Sequence, residues 1–224
     1  MLRDQNAKII DVAYGYGYDS VDGYQRAFLK EFGINPYEYS RHAKPISLFI
    51  PYKKYDKKEK SQMKKSNYVF VSVVEKEPRK VIIKRGISAD NYMDYCMEVG
   101  CDVWGILTSI KTNMGEPVCL WLPEKYIKDG TSSYVQGVEV TLDYIGEIPD
   151  GFEIIELPAA TYLKFNGEPF EEEDYEEAIG ELMKAIENFD PKTLGYQWDF
   201  VNPKIQLEPI GDRGYIELVA VKRM

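Results

Sequence analysis

The sequence predicts an α+β fold in two unequal units, the larger a mainly antiparallel sheet with helices on one face. Two patterns carry this prediction. Residues 67–224 run twice through the order strand-strand-helix-strand-strand, and the first 43 residues give a helix, a glycine-broken turn and a second helix. Length is compatible, because 224 residues suffice for one large domain or for one ordinary domain plus a small appendage. In the first repeat, strand signals fall at 68–74 and 80–84, a helix at 90–107, and strands at 118–122 and 135–141. In the second they fall at 153–157 and 160–165, then a helix at 172–188, then strands at 204–209 and 215–221.

In the front unit, Ile9, Ile10, Val12 and Ala13 follow helical spacing until Tyr14-Gly15-Tyr16-Gly17-Tyr18, where glycine admits backbone conformations that other residues resist. Ser20 is placed to cap a second helix whose face carries Tyr24, Ala27, Phe28 and Phe32, and Gly33, followed by Pro36, can end it. Core packing is the expected role of Tyr14, Tyr16, Tyr18, Tyr24 and Phe28.

The net charge of −9 hides a division along the chain. Residues 1–43 carry five Lys/Arg and six Asp/Glu, residues 44–66 carry eight and two, and residues 67–224 carry fifteen and twenty-nine. The middle, with Lys53, Lys54, Lys57, Lys58, Lys60, Lys64 and Lys65 and no apolar period, suits a solvated basic linker. The acidic unit repels a polyanion and attracts cations, so any DNA binding would belong to the front.

Several chemistries are disfavoured. Cys96, Cys101 and Cys119 lack metal-ligand spacing and are expected to be free thiols that pack. His42 is the single histidine, which leaves little for a catalytic triad or a histidine metal site. Glu168, Glu171, Glu172, Glu173, Asp174, Glu176 and Glu177 gather at a helix start, where the macrodipole favours negative charge without a metal. No cofactor is expected. No apolar run reaches the roughly 20 residues that span a bilayer, and the first residues are polar, so a cytoplasmic protein with no membrane partner is the expectation.

Residues Ile9–Ala13, Tyr16-Gly17-Tyr18-Asp19-Ser20 and the run from Tyr24 to Tyr39 through Phe32-Gly33-Ile34-Asn35-Pro36 closely resemble the second helix-turn-helix of AraC/XylS-family transcription regulators. The resemblance implies that the second helix reads the DNA major groove, with Val21, Asp22, Gln25 and Arg26 facing the bases. Gln25 and Arg26 match adenine and guanine edges, whereas Asp22 suits cytosine and repels phosphate. That family carries two such subdomains. Only the second is present within residues 1–43, so weak DNA binding by residues 1–224 is the expectation.

In the large unit, Gly137-Val138-Glu139-Val140, the stretch from Gly151 through Glu156-Leu157-Pro158-Ala159, and the closing Gly214-Tyr215-Ile216-Glu217-Leu218-Val219-Ala220-Val221 resemble the GyrI-like effector-binding domain. An AraC-type reader joined to a GyrI-like domain is similar to the Rob-type regulators. The resemblance implies a central pocket of aromatic side chains around an acid, suited to amphipathic cations. Trp104, Trp121, Tyr134, Phe165, Tyr196, Trp198 and Tyr215 supply rings, with Trp104 and Trp198 the preferred pocket residues and ordinary core packing the competing role for each. Strand alternation places Gln206 and Glu208 on one face, and Tyr215, Glu217 and Val219 on one face of the next strand. The relatives' ligand-binding glutamate falls nearest Gln206, which leaves Glu208 or Glu217 as the pocket acid. An effector-sensing regulator, a second copy of the chain being a further partner, is the leading expectation. The alternatives are a GyrI-like hydrolase of strained rings and a protein-binding GyrI-like module.

Overall fold

The computed structural model describes residues 2–5, 7–47 and 68–224. Three helices open the chain: α1 (Ile9–Gly15), α2 (Val21–Phe32) and α3 (Pro36–Arg41). Ser20 caps α2 by accepting the Gly23 N–H, and Gly33, at φ 68°, ends it in the left-handed conformation that glycine adopts without strain. Pro36 does more than stop α2: it sits in the first turn of α3, which Asn35 caps from the Tyr37 N–H. Leu2, Val12, Ala13, Tyr24 and Tyr39 form the core of this unit, with Phe28 and Ile46 packed against it. The expectation for the turn tyrosines needs correction. Tyr14, on the outer side of α1, and Tyr16, in the turn after it, are exposed, and of the three only Tyr18, itself partly open to water, packs edge-on against Tyr24.

The stretch from 44 was expected to be linker. Of that stretch, Ile46 packs against the core of the first unit and Lys44 pairs with Glu147 of the large unit at 3.4 Å, and residues 48 to 66 lie outside the described residues.

The large unit contains β1 (Phe70–Lys76), β2 (Arg79–Arg85), α4 (Tyr92–Val99), α5 (Asp102–Ser109), β3 (Val118–Trp121), β4 (Tyr134–Val140), β5 (Glu153–Leu157), β6 (Ala160–Asn166), α6 (Tyr175–Glu187), β7 (Tyr196–Trp198), β8 (Lys204–Gln206) and β9 (Ile216–Arg223). The strands form one antiparallel sheet in the order β1-β6-β9-β8-β3-β4-β2-β5, with β7 on the far end of β9. The two repeats therefore exchange outer strands, β1 pairing with β6 and β5 with β2. Two details differ from the sequence pattern. The helix expected over 90–107 is split into α4 and α5 at Gly100, whose φ of 111° and ψ of 153° only glycine takes up readily. The short β7 has no counterpart in the predicted order.

Strand alternation assigns the two faces. One face carries Ile82, Cys119, Tyr134 and Val138 under α4 and α5, and Leu163, Phe165, Tyr215 and Val221 under α6. The other carries Val81, Leu120, Val135, Leu157, Tyr162, Ile205 and Leu218 in one buried cluster that also includes Val74 of edge strand β1 and Ile155 of edge strand β5. The sheet thus curls until its edges share a core. Arg79, fully buried, closes the curl: its Nε donates to Glu139 at 2.6 Å and its Nη2 to the Tyr162 hydroxyl at 3.3 Å. Lys76 adds a second cation on Glu139 at 2.5 Å.

The first unit rests on the C-terminal end of α5. Arg3 Nη1 donates to the Thr108 and Ile110 carbonyls at 2.6 and 3.2 Å, and the Ile46 N–H donates to Ser109 Oγ at 2.7 Å. Unpaired carbonyls at a helix end attract a cation, which is what Arg3 supplies.

Candidate effector site

The middle of the sheet, where the helical covers of the two repeats meet, gathers the polar side chains. Antiparallel register places Gln136 (β4) opposite Cys119 (β3), Cys119 opposite Gln206 (β8), and Gln206 opposite Glu217 (β9). Paired residues point to the same face, so these four form a row across four strands. The adjoining row on three of those strands is Tyr134, Trp121 and Lys204. Gln136, Gln206 and Glu217 are buried at 1%, 6% and 1% exposure.

A buried carboxylate needs compensation, and Glu217 has it on both oxygens. The Tyr215 hydroxyl donates to Oε1 at 2.8 Å, and Lys204 Nζ donates to Oε2 at 3.1 Å. Lys204 Nζ also lies 3.9 Å from the Trp121 ring centroid, a cation–π contact. Trp121 is fixed from behind by its Nε1 donating to the Asp90 carbonyl at 2.8 Å, and edge-on by Tyr134 at 5.0 Å between centroids. Tyr134 in turn donates to Gln206 Oε1 at 3.2 Å. Neither the amide nitrogen nor the oxygen of Gln136 has a hydrogen-bond partner among the described residues.

The protonation states follow from burial. Desolvation, and then the Glu217 charge, push the Tyr215 phenol far up, so it stays a neutral donor. Burial does the same for Tyr134. Burial also pushes the Cys119 thiol up to about 12 and Cys96 to about 11, which keeps both protonated and poor nucleophiles. Cys101 departs from the expectation that all three thiols pack: it is exposed. Among the described residues no three His, Cys, Asp or Glu side chains are placed so that they could hold a metal ion, and no helix is long and apolar enough to cross a membrane.

The residues singled out from sequence divide into three groups. Gln206 and Glu217 stand in the row, with Tyr134 and Tyr215 hydrogen-bonded to them in turn, while Trp104 lies half-buried on α5 against the same helical core. Trp198 does not join them, packing with Phe165 and Phe189 beneath α6 at 6.5 Å between centroids. Glu208 lies past the end of β8 beside Glu116 and Arg213. Arg213 grips Glu116 at 2.5 and 2.9 Å and donates to the Glu208 carbonyl. In the front unit Val21 packs partly into the core, Gln25 is half-buried, and Asp22 and Arg26 form an exposed ion pair at 2.8 Å. Lys204 and Gln136 were not among the sequence candidates. The signal for Lys204 was present, because it stands two residues before Gln206 and so shares its face.

A separate cavity of about 500 Å³ lies beyond Tyr215, between α6 and residues 167–171, with Glu168, Glu171, Asp174, Glu177 and Asp212 in its wall. It holds the acids of the α6 start and not the convergent row around Glu217.

Residues 103–208 match the family model of Cass2, an integron-associated effector binding protein. The Cass2 match contains Trp104, Cys119, Trp121, Tyr134, Gln136, Lys204 and Gln206 and stops short of Glu217. No curated protein matches the sequence. Among solved structures, EcmrR in its complex with DNA is 16% identical at a TM-score of 0.42, the match covering 70% of this chain and 58% of that one. SAV2435 bound to tetraphenylphosphonium is 14% identical at 0.43, covering 69% and 94%. A protein of Staphylococcus aureus MU50 assigned to bacterial transcription regulation is 15% identical at 0.45, covering 68% and 98%. The match thus spans less than two thirds of the EcmrR chain, and at such identities and TM-scores the likeness transfers no function.

Proposed function

We propose that the chain is an effector-responsive transcription regulator, in which residues 67–224 bind a small organic cation of aromatic character and residues 1–43 read DNA. The observation that carries the effector half is Glu217, a carboxylate at 1% exposure set beside the Trp121–Tyr134 corner. An acid that compensates a cation and rings that attract it are the recognition pair for such molecules. The surplus of acids in residues 67–224 raises the local cation concentration further. The Cass2 match over residues 103–208 supports effector binding as the role of this unit.

The DNA half rests on the capped α2 following a short turn after α1, with Gln25 and Arg26 on its first turns. The Asp22–Arg26 pair tempers it, since Arg26 must leave Asp22 to reach a base. An exposed pair of this kind is worth about 0.3–0.5 kcal/mol, well below the roughly 1–3 kcal/mol of a good base contact. In electrophoretic shift assays against a selected operator, Arg26→Ala weakens binding by that 1–3 kcal/mol, and Asp22→Ala strengthens it.

The effector half is tested by calorimetry with benzyltriethylammonium and with a neutral isostere. The cation binds the wild type in preference to the isostere, Glu217→Gln removes most of that preference, and Glu208→Gln retains it. A neutral isostere that binds as well as the cation overturns the reading.

A hydrolytic role has one observation in its favour, the Tyr215 hydroxyl in hydrogen bond to Glu217 at 2.8 Å. Against it, both Glu217 oxygens already accept a hydrogen bond, from Lys204 and from Tyr215.

A further inference from the structure

We propose that Lys204 is a tethered competitor for the effector: its ammonium holds the cation position between Glu217 and Trp121, and an effector binds by displacing it. The inference rests on the effector reading above and adds the step by which the site discriminates among cations.

Lys204 Nζ makes the two contacts that an organic cation would make there, 3.1 Å to Glu217 Oε2 and 3.9 Å to the Trp121 ring centroid. The lysine ammonium fills the place between Glu217 Oε2 and the Trp121 ring, so a second cation cannot make those same two contacts while it stays. Binding is therefore an exchange in which one positive charge enters as one leaves, and Glu217 is compensated throughout. The Glu217 side chain is 1% exposed, whereas that of Lys204 is 28% exposed, so the lysine reaches the buried acid from the rim on a flexible stem and can swing back to water.

Displacement selects by size and hydration. A compact ammonium is strongly hydrated and regains that hydration on leaving, whereas a bulky, weakly hydrated cation loses little on entering and gains contact with the rings. A small primary amine offers nothing that Lys204 lacks. It also competes against a group whose attachment to β8 gives it a high effective concentration. The site should therefore pass over small amines and take large lipophilic cations, although Glu217 alone attracts both.

The test uses the full chain and two probes, benzyltriethylammonium and methylammonium, with Lys204→Met, Glu217→Gln and the double variant. Affinity is read by calorimetry and folding by circular dichroism. A second readout is reductive methylation of Lys204 in the wild type, followed by mass spectrometry. Lys204→Met is expected to bind benzyltriethylammonium at least tenfold more tightly than wild type and to gain measurable methylammonium binding. The double variant loses both gains. In the wild type, saturating benzyltriethylammonium raises the methylation rate of Lys204 several-fold, which a merely structural lysine would not show. If folded Lys204→Met binds the cation no better than wild type while Glu217→Gln still abolishes binding, the competitor role falls and the effector site stands. If Glu217→Gln binds the cation as well as wild type, the effector site itself falls, and the competitor with it.

Discussion

Glu208 and Glu217 stand on either side of the closing turn, and their surroundings differ more than their sequence does. Glu217 is compensated on both oxygens, whereas Glu208 is half-buried near Glu116 with Arg213 turned mainly to that other acid. Desolvation, then repulsion from Glu116, push the Glu208 carboxyl above its usual range, and Arg213 only partly opposes this. A carboxyl raised in the folded state binds protons more tightly folded than unfolded. Its favourable contribution is therefore present at low pH and is lost as pH rises through the raised value. Glu208→Gln should accordingly be at least as stable as wild type at pH 7, and its advantage should vanish as pH falls below the carboxylate range. Urea midpoints across that pH series check it, and a Glu208→Gln protein less stable at pH 7 contradicts it. Alternation along the strand made the shared face of Tyr215, Glu217 and Val219 legible in the sequence. What alternation lacks is register. That Glu217 lies opposite Gln206, and that Lys204 lies opposite Trp121, depends on which strands are neighbours.

At the scale of elements, strands and caps were the readable part, because period-two patterns and residues such as Ser20 act locally. The split of α4 from α5 was not readable. The apolar pattern continues across Gly100, and only the glycine's positive φ interrupts it. Pro36, which follows the terminating Gly33, opens α3, a short helix that the apolar pattern did not announce. Trp198 shows the same limit from the other side. An irregular, glycine-flanked stretch suggests a pocket loop, but that stretch becomes β7 on the far end of β9, under α6. The curl of the sheet gives a quantitative expectation. Arg79 has no exposure to water, so Glu139→Ala would leave a buried cation with only the Tyr162 hydroxyl and backbone carbonyls around it. Breaking a buried pair in this way costs roughly 3–5 kcal/mol. Denaturant unfolding should show a loss of that size for Glu139→Ala, and a smaller one for the paired change Arg79→Met with Glu139→Val, which removes both charges together.

For the whole molecule, the feature with the widest reach is the grip of Arg3 on the Thr108 and Ile110 carbonyls, beside the Ile46 contact to Ser109. The helix so held, α5, also carries Val103, Trp104 and Leu107 into the core over the effector row. On the function proposed above, any ligand that shifts α5 alters the seat of residues 1–43, and any DNA that re-seats those residues pulls on α5. Thermodynamics makes the two directions equal: the factor by which effector changes DNA affinity is the factor by which DNA changes effector affinity, and such coupling is typically about 1–3 kcal/mol. The same protein can then be calibrated from either end, reading operator occupancy with an effector titration alone. Arg3→Ala should bring both factors towards one together while leaving each separate affinity measurable. A variant that lost one factor and kept the other would break the cycle, and would mean that the link runs somewhere other than through α5.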